Sequence, residues 1–344
     1  MHYGRTTLKA VAYKTPGPVD RSDALLDIVL DLPKAKGRDL LVKIMAVSVN
    51  PVDTKLRRAK PPDQGEWRVL GFDASGVVAD VGPEVRNFKP GDAVFYAGAI
   101  GRPGTNSEFH LVDERIVGLK PSSLSHAEAA ALPLTAITAW EMLFDRLEVK
   151  RPTPQGGKTI LVIGGAGGVG SITLQLLRAL TEMRVIATAS RPETKEWVRQ
   201  CGAHDVLDHR HPLAPQAESL GIGAPGFVFS TTQTDKHLAD IVTLIAPQGR
   251  FGLIDDPKEF DIKLFKLKAL SLHWELMFTR SLFATPDMSE QGHLLNEVSA
   301  LVEAGRLRST LTEVAGKINA ETLRAVHARI ESGSARGKIV LEGF

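Results

Sequence analysis

The stretch ILVIGGAGGVGSITLQLL, Ile160 to Leu177, runs from a short apolar segment into glycines and straight on into a helix-like pattern. Within it, Gly165-x-Gly167-x-x-Gly170 has the spacing of a dinucleotide-binding turn, with Gly168 and Val169 between the last two glycines. Glycine suits such a turn because it bends tightly and lets the backbone approach a pyrophosphate; a Cβ obstructs both. The helix expected from Val169 would direct its positive end at the phosphates. Val169, Ile172, Leu176, Leu177 and Leu180 recur at helical spacing, which packs that helix on a sheet. A purely structural strand–helix junction is the competing explanation.

The next apolar run, VIATAS, ends in Ser190 and Arg191, with Lys195 four residues on. An acid at this point would accept hydrogen bonds from the adenosine ribose and repel a 2′-phosphate. A hydroxyl and two cations suit that phosphate instead, so the expected cofactor is NADP(H) rather than NAD(H). The alternative is a solvated loop with ordinary surface charge. Asp208, which closes the third run, is expected to flank the adenine together with His209 and Arg210. Ser230, Thr231 and Thr232 end the fourth run, where they would be exposed to the cofactor; Gly252, Leu253 and Ile254 end the fifth and could meet the carboxamide.

These residues need a particular frame. From Thr159 onward, strand-like runs (TILVIGG, RVIATAS, DVLD, FVFST, RFGLID, ALSLHW) alternate with helical ones, which predicts a doubly wound parallel sheet. Residues 1–128 instead carry short β-type runs between Gly and Pro turns, which predicts a β-rich domain. The tail has two helix-like segments and a closing strand, GKIVLEGF, expected to return to the first domain. The expected class is therefore α/β. The β-rich domain covers 1–130 and is completed by 284–344; the cofactor domain covers 131–283.

The totals exclude much else. The 344 residues are 43% hydrophobic with a net charge of +2, which gives no reason to expect a nucleic-acid or anionic-membrane partner. Cys201 is the single cysteine, so neither an intrachain disulfide nor a multi-cysteine zinc site is possible. The sequence lacks an uninterrupted apolar run of about 18 residues. The polar start, MHYGRTTLKAVAYK, has no secretory pattern, and a soluble cytoplasmic protein is expected. The histidines near Asp205 and Asp208 read as a polar loop rather than a metal site.

Over nearly its whole length the chain resembles the medium-chain dehydrogenase/reductase superfamily. The resemblance rests on AVSVNPVDTKLR, GFDASGVVADVG, FKPGDAVFYAG, LPLTAITAW, the glycine turn and the closing ARGKIVL. The branch it is most similar to is the quinone oxidoreductases, often labelled zinc-type alcohol dehydrogenase-like. This implies a GroES-like first domain, a Rossmann second domain, an active-site cleft between them and pairing of two copies through the sixth Rossmann strand, here ALSLHWELM. The alcohol dehydrogenases of the superfamily hold zinc with a cysteine where this chain has Asn50, and with Gly-His-Glu where it has Gly71-Phe72-Asp73. Asparagine and phenylalanine are not ordinary zinc ligands, so no metal is expected.

Without a Lewis acid, alcohol oxidation becomes difficult, whereas hydride donation to a quinone or α,β-unsaturated carbonyl does not. A small electrophilic substrate follows. By the resemblance, Asn50 lies beside the nicotinamide ribose and could donate to a developing oxygen, or it is a turn cap. Thr135 lies where the crossover helix meets the nicotinamide, or simply starts that helix. Tyr96 could donate a proton, wall the substrate or pack in the core. Asp53 is a second cleft candidate or a helix cap, and Arg336 and Lys338 could reach back to the cleft or be solvated. Two other functions stay open: a zinc-dependent alcohol dehydrogenase and a non-catalytic NADPH-binding protein.

Overall fold

The computed structural model describes residues 6–63, 65–155 and 157–344. The chain divides into one unit formed by Met1–Leu134 with Phe278–Phe344, and a second formed by Thr135–Met277.

The first unit opens with β1 (Thr7–Tyr13), β2 (Leu26–Asp31), β3 (Asp39–Ser48), α1 (Pro51–Ala59) and β4 (Arg68–Val69). It continues with β5 (Ala74–Val81), β6 (Ala93–Tyr96), β7 (Phe109–Asp113), β8 (Gly118–Leu119) and α2 (His126–Ala130), and reaches α3 (Pro133–Trp140) at the junction. The strands β2-β1-β4 make a small antiparallel sheet. Half-buried and exposed residues alternate along β2, as expected of a strand with one face on the core and one in water.

The second unit alternates strand and helix as far as its fifth strand: β9 (Thr159–Ile163), α4 (Gly168–Leu180), β10 (Arg184–Thr188), α5 (Pro192–Gln200), β11 (Asp205–Leu207), α6 (Leu213–Ser219), β12 (Phe227–Ser230), α7 (Thr234–Leu244) and β13 (Arg250–Leu253), then, after a short 3-10 turn, β14 (Ser271–Trp274). The strands lie parallel in the order β11-β10-β9-β12-β13-β14. This is the Rossmann order, and it reverses between β9 and β12, where such sheets bind ligands. The apolar runs read from the sequence are strands whose residues are buried on both faces. Leu161, Ile163, Ile186, Val228, Phe251 and Leu253 join one core cluster with Leu207 and Ile241. The sequence reading has no counterpart of α6. Its Pro215 falls in the first helical turn, where a missing N–H costs nothing.

The chain then returns to the first unit through α8 (Thr279–Leu282), α9 (Glu290–Glu303), β15 (Leu311–Val314), α10 (Ala320–Glu331) and β16 (Lys338–Glu342). As expected from GKIVLEGF, β16 joins the larger sheet of that unit, pairing antiparallel with β3 through Val340–Ser48 and Leu341–Val47. Among the described residues, no helix is long and apolar enough to cross a membrane.

Candidate functional site

At the switch point of the second unit, each turn glycine has its own reason to be glycine. Gly164, at φ +77°, is left-handed, and a Cβ on it would come within 2.3 Å of Thr231 Oγ1. A Cβ on Gly165 would lie 2.8 Å from Ala187 Cβ, and one on Gly170 would lie 2.4 Å from Gly164 O. Gly167 differs. Its Cβ would meet only Gly164 O, at an ordinary 3.5 Å. Packing therefore demands glycine at 164, 165 and 170 but leaves room at 167. Gly167 is the N-cap of α4 and offers no side-chain cap, so no cap group covers the helix end at Gly168, Val169 and Gly170. A turn with spare room in front of an uncapped helix end fits the pyrophosphate of a dinucleotide. Thr231 Oγ1 donates to Ile163 O at 2.8 Å, tying the ends of β12 and β9 together.

Two neighbours of this turn lie at the strand ends where the sequence reading put them, but they are taken up by the fold rather than exposed. Ser230 is fully buried and its hydroxyl donates to Thr234 Oγ1 at 2.8 Å, since the Thr234 proton goes to the Asp255 carboxylate; the Ser230 hydroxyl is used inside the fold. Gly252 lies within β13, where a Cβ would come 2.2 Å from Met142 Sδ; it is a packing glycine. Ile254 follows that strand, half-buried.

The ends of β10 and β11 carry a cationic patch. Arg191 is the N-cap of α5, 3.2 Å from Glu193. Lys195 Nζ donates to Asp208 Oδ2 at 3.0 Å. Arg210 grips the same carboxylate through Nε at 3.0 Å and Nη2 at 2.7 Å, and its Nη2 also donates to Ser190 O at 3.1 Å. The Arg210 hydrogen bond, followed by that of Lys195, holds the Asp208 carboxyl well below its usual range. Arg210 is thus turned toward Ser190, where the sequence reading placed it against adenine. His209 lies edge-on to His237, with ring centroids 6.2 Å apart, and both line a cavity of about 440 Å³ with Lys236 and Gln233. Burial lowers the pKa of both rings.

The first unit holds a second polar cluster, and it is closed. Asn50 caps α1: its N–H donates to Asp53 Oδ2 at 2.8 Å, and Asp53 Oδ1 accepts from Gly71 N at 2.9 Å. Asn50 Nδ2 donates to Asp73 Oδ2 at 2.8 Å, while Asp73 Oδ1 accepts from Leu134 N at 2.7 Å. Lys338 Nζ reaches three oxygens: Val49 O and Asp73 Oδ2, both at 3.1 Å, and Asn50 Oδ1. Three donors thus meet three acceptors, and Asn50, Asp53, Asp73 and Lys338 are all at most 3% exposed. Burial pushes the Asp53 carboxyl up to about 7, against its two backbone donors, and raises Asp73 against the pull of Lys338. The amide of Asn50 is consequently spent inside the cluster.

Tyr96 is likewise a core residue here. Fully buried, it points its hydroxyl at His110 Nδ1, 3.1 Å away, while His110 Nε2 lies 2.9 Å from Pro103 O. A carbonyl can only accept, so Nε2 carries the proton and Tyr96 donates to Nδ1. Desolvation lowers His110 to about 4 and keeps it neutral. Thr135 lies in the first turn of α3 and is buried.

A zinc ion does not fit these residues. Among the described residues no three His, Cys, Asp or Glu side chains gather as a metal site. Phe72 packs edge-on against Phe278 at 5.2 Å, and the oxygens of Asn50, Val49 and Asp73 already enclose an ammonium.

Residues 36–133 match the alcohol dehydrogenase GroES-like domain, and residues 201–341 match the zinc-binding dehydrogenase family. A zinc-type alcohol dehydrogenase-like protein of Staphylococcus epidermidis is 37% identical over 97% of this chain and 99% of its own. Human NAD(P)H oxidoreductase RTN4IP1, mitochondrial, is 31% identical over 88% of this chain and 81% of its own. A Rhizobium etli crystal structure, named for the zinc-dependent alcohol dehydrogenases, is 62% identical, with a TM-score of 0.97 over 98% of this chain and 99% of its own.

Proposed function

The chain belongs to the medium-chain dehydrogenase/reductase superfamily, a family of oxidoreductases, and from that premise we propose that it is an NADPH-dependent reductase of quinones or α,β-unsaturated carbonyls that works without a catalytic metal. The observation that carries the reading is Gly167, a glycine whose missing side chain no other atom among the described residues requires, set before an uncapped helix, one strand away from Ser190, Arg191 and Lys195 and two from Arg210.

NADPH, when bound, supplies a hydride. This chain's part is to seat the pyrophosphate on the α4 N-terminus and to meet the 2′-phosphate with cations. Acceptors that delocalise the incoming charge need no Lewis acid, which agrees with a first unit whose acidic cluster is filled by Lys338. Asn50 and Tyr96 spend their polar atoms on Asp73 and His110, so we assign them to holding the unit's shape. The proposed assembly is a dimer through the edge strand β14, whose Trp274, like Leu276 just beyond it, is about half exposed. Light scattering giving a mass near 37 kDa at micromolar concentration would refute the dimer.

The deciding experiment follows NADPH and NADH oxidation over benzoquinones, naphthoquinones, enones and simple aldehydes, with metal analysis of protein purified without chelator. Turnover of quinones or enones by metal-free protein is expected. One zinc per chain with alcohol turnover would establish the alternative that the relatives' names suggest. Cofactor binding with no turnover on any acceptor would leave a binding protein. Replacing Arg191 and Lys195 together by Ala should remove most of a preference for NADPH on the order of a hundredfold, since two charge-assisted contacts contribute at least about 1.5 kcal/mol each. Parallel loss of NADH and NADPH would instead mean that the two cations support the turn.

A further inference from the structure

We propose that Asp208 is a positioning residue for cofactor choice: it holds Arg210 in one fixed orientation toward Ser190, with Lys195 on the same carboxylate, making Arg210 a further reader of an adenosine 2′-phosphate. This rests on the NADPH reading above and goes beyond it, because that reading assigns the phosphate to Ser190, Arg191 and Lys195.

The geometry is that of an anchor. The Asp208 carboxylate, with only 10% of its side chain exposed, accepts four hydrogen bonds. Oδ1 takes Arg210 N at 3.1 Å and Nε at 3.0 Å; Oδ2 takes Arg210 Nη2 at 2.7 Å and Lys195 Nζ at 3.0 Å. Asp208 is itself pinned from behind by Gln216 of α6, whose Oε1 accepts from Asp208 N at 2.8 Å and whose Nε2 donates to Asp208 O at 3.0 Å. The guanidinium therefore spans two strand ends, from the close of β11 to the Ser190 carbonyl after β10. Its Nη1 has no partner among the described residues, and 61% of the side chain is exposed. Lys195 spends one of its three donors on Asp208. Two cations less one carboxylate leave the trio at +1, with unspent N–H groups beside Ser190. Arg191 stands apart, on the exposed carboxylate of Glu193.

Two physical effects of Asp208 oppose each other, which makes the inference testable by sign. As a bare charge, the carboxylate repels a phosphate, and removing it would tighten NADPH. As an anchor, it spares the complex the entropy of ordering two long flexible side chains, and removing it would weaken NADPH. A carboxylate that takes three of its four bonds from one arginine, two of them parallel from the guanidinium, fixes direction as well as charge, and the anchoring effect should win.

The experiment titrates NADPH and NADH into the intact wild-type protein and into Asp208→Asn, Arg210→Ala and the double variant, each checked by thermal melting. Arg210→Ala should weaken NADPH about tenfold or more and leave NADH unchanged. Asp208→Asn should cut the NADPH preference several-fold in the same direction. The double variant should be no worse than Arg210→Ala, since both changes remove one device. A merely structural role would weaken both cofactors alike, and that result, an unchanged preference or a tighter NADPH in Asp208→Asn would overturn the proposal. If that variant does not fold, Gln216→Ala, which loosens the same anchor from behind, must lower the preference, and an unchanged ratio refutes the idea. A wild type with no preference sinks the NADPH reading and this inference together; a wild-type preference that survives Asp208→Asn sinks this inference alone.

Discussion

Two polar clusters in this molecule both set lysine on aspartate and end differently. In the first unit, Asn50, Asp53, Asp73 and Lys338 are buried, and the three donors of Lys338 meet three acceptors. In the second, Lys195, Asp208 and Arg210 sit at the rim of a parallel sheet, and the carboxylate is saturated while the cations are not. The difference teaches that residue type alone does not mark a binding group. What marks it is the hydrogen-bonding capacity left after the chain has satisfied itself. The glycine turn repeats the lesson with volume in place of hydrogen bonds: packing fills the space beside Gly164, Gly165 and Gly170 but not beside Gly167.

The strongest test of the closed cluster is Lys338→Met. It leaves the Asp73 carboxylate buried without its cation, and a loss of about 3–5 kcal/mol is expected in urea unfolding. Adding Asp73→Asn should return part of it; a single variant as stable as wild type would mean that the cluster is not closed as described. The open region should respond in binding rather than stability. Gly167→Val should weaken NADPH by at least about a hundredfold, roughly 2.7 kcal/mol, with little change in melting temperature. Gly164→Ala should instead lower the melting temperature, because φ is +77° and Thr231 is in the way. If both variants lose stability equally, the contrast between the two glycines is void.

A smaller effect concerns pH. In the second unit Glu275, salt-bridged to Arg146, is buried beside the carboxyl of Glu141. Burial first, then Glu141, raises the Glu275 pKa above its ordinary 4.5. The folded state thus holds a proton that the unfolded chain releases. Its stabilising contribution is complete below about 4.5 and is lost as pH rises through the raised value. Unfolding free energy should fall over that window by up to about 1.4 kcal/mol per pH unit, and Glu141→Gln should flatten the fall. A flat wild-type profile would rule out the raised Glu275 pKa. Smallest of all, moderate salt should reduce the NADPH preference several-fold, because Arg191 and Arg210 are 44% and 61% exposed.

The fold was largely legible because it is written in local patterns. Runs such as TILVIGG and RVIATAS carry the period and length of buried parallel strands, and the glycine spacing announces the turn between β9 and α4. Side-chain partnership was not legible. Lys338 and Asn50 are 288 residues apart, and only the pairing of β16 with β3 brings them together. For Tyr96 the alternatives stayed open, because nothing local says that His110, on another strand, lies opposite. The role of Arg210 left one trace, its spacing of two from Asp208, which permits a bidentate grip within a single turn. Ser230 was misjudged for a similar reason: its position at a strand end is local information, whereas the Thr234 hydroxyl that occupies it comes from the start of α7.

The placement of β16 also constrains how the protein is made. The second unit is one continuous segment, Thr135–Met277, and its strands close on one another without help from later residues. The first unit is split, and in its larger sheet β3 pairs early with β5 and β7, but its Ala46–Ser48 end is covered only by Lys338–Glu342. During synthesis, which proceeds at about 5–20 residues per second, the edge of β3 that β16 will cover waits unpaired while roughly 290 further residues are added. The segment made in the middle can therefore mature first, and the segment made first matures last. A nascent chain halted after Met277 should already hold a protease-resistant core, and that core should be the later-numbered of the two units.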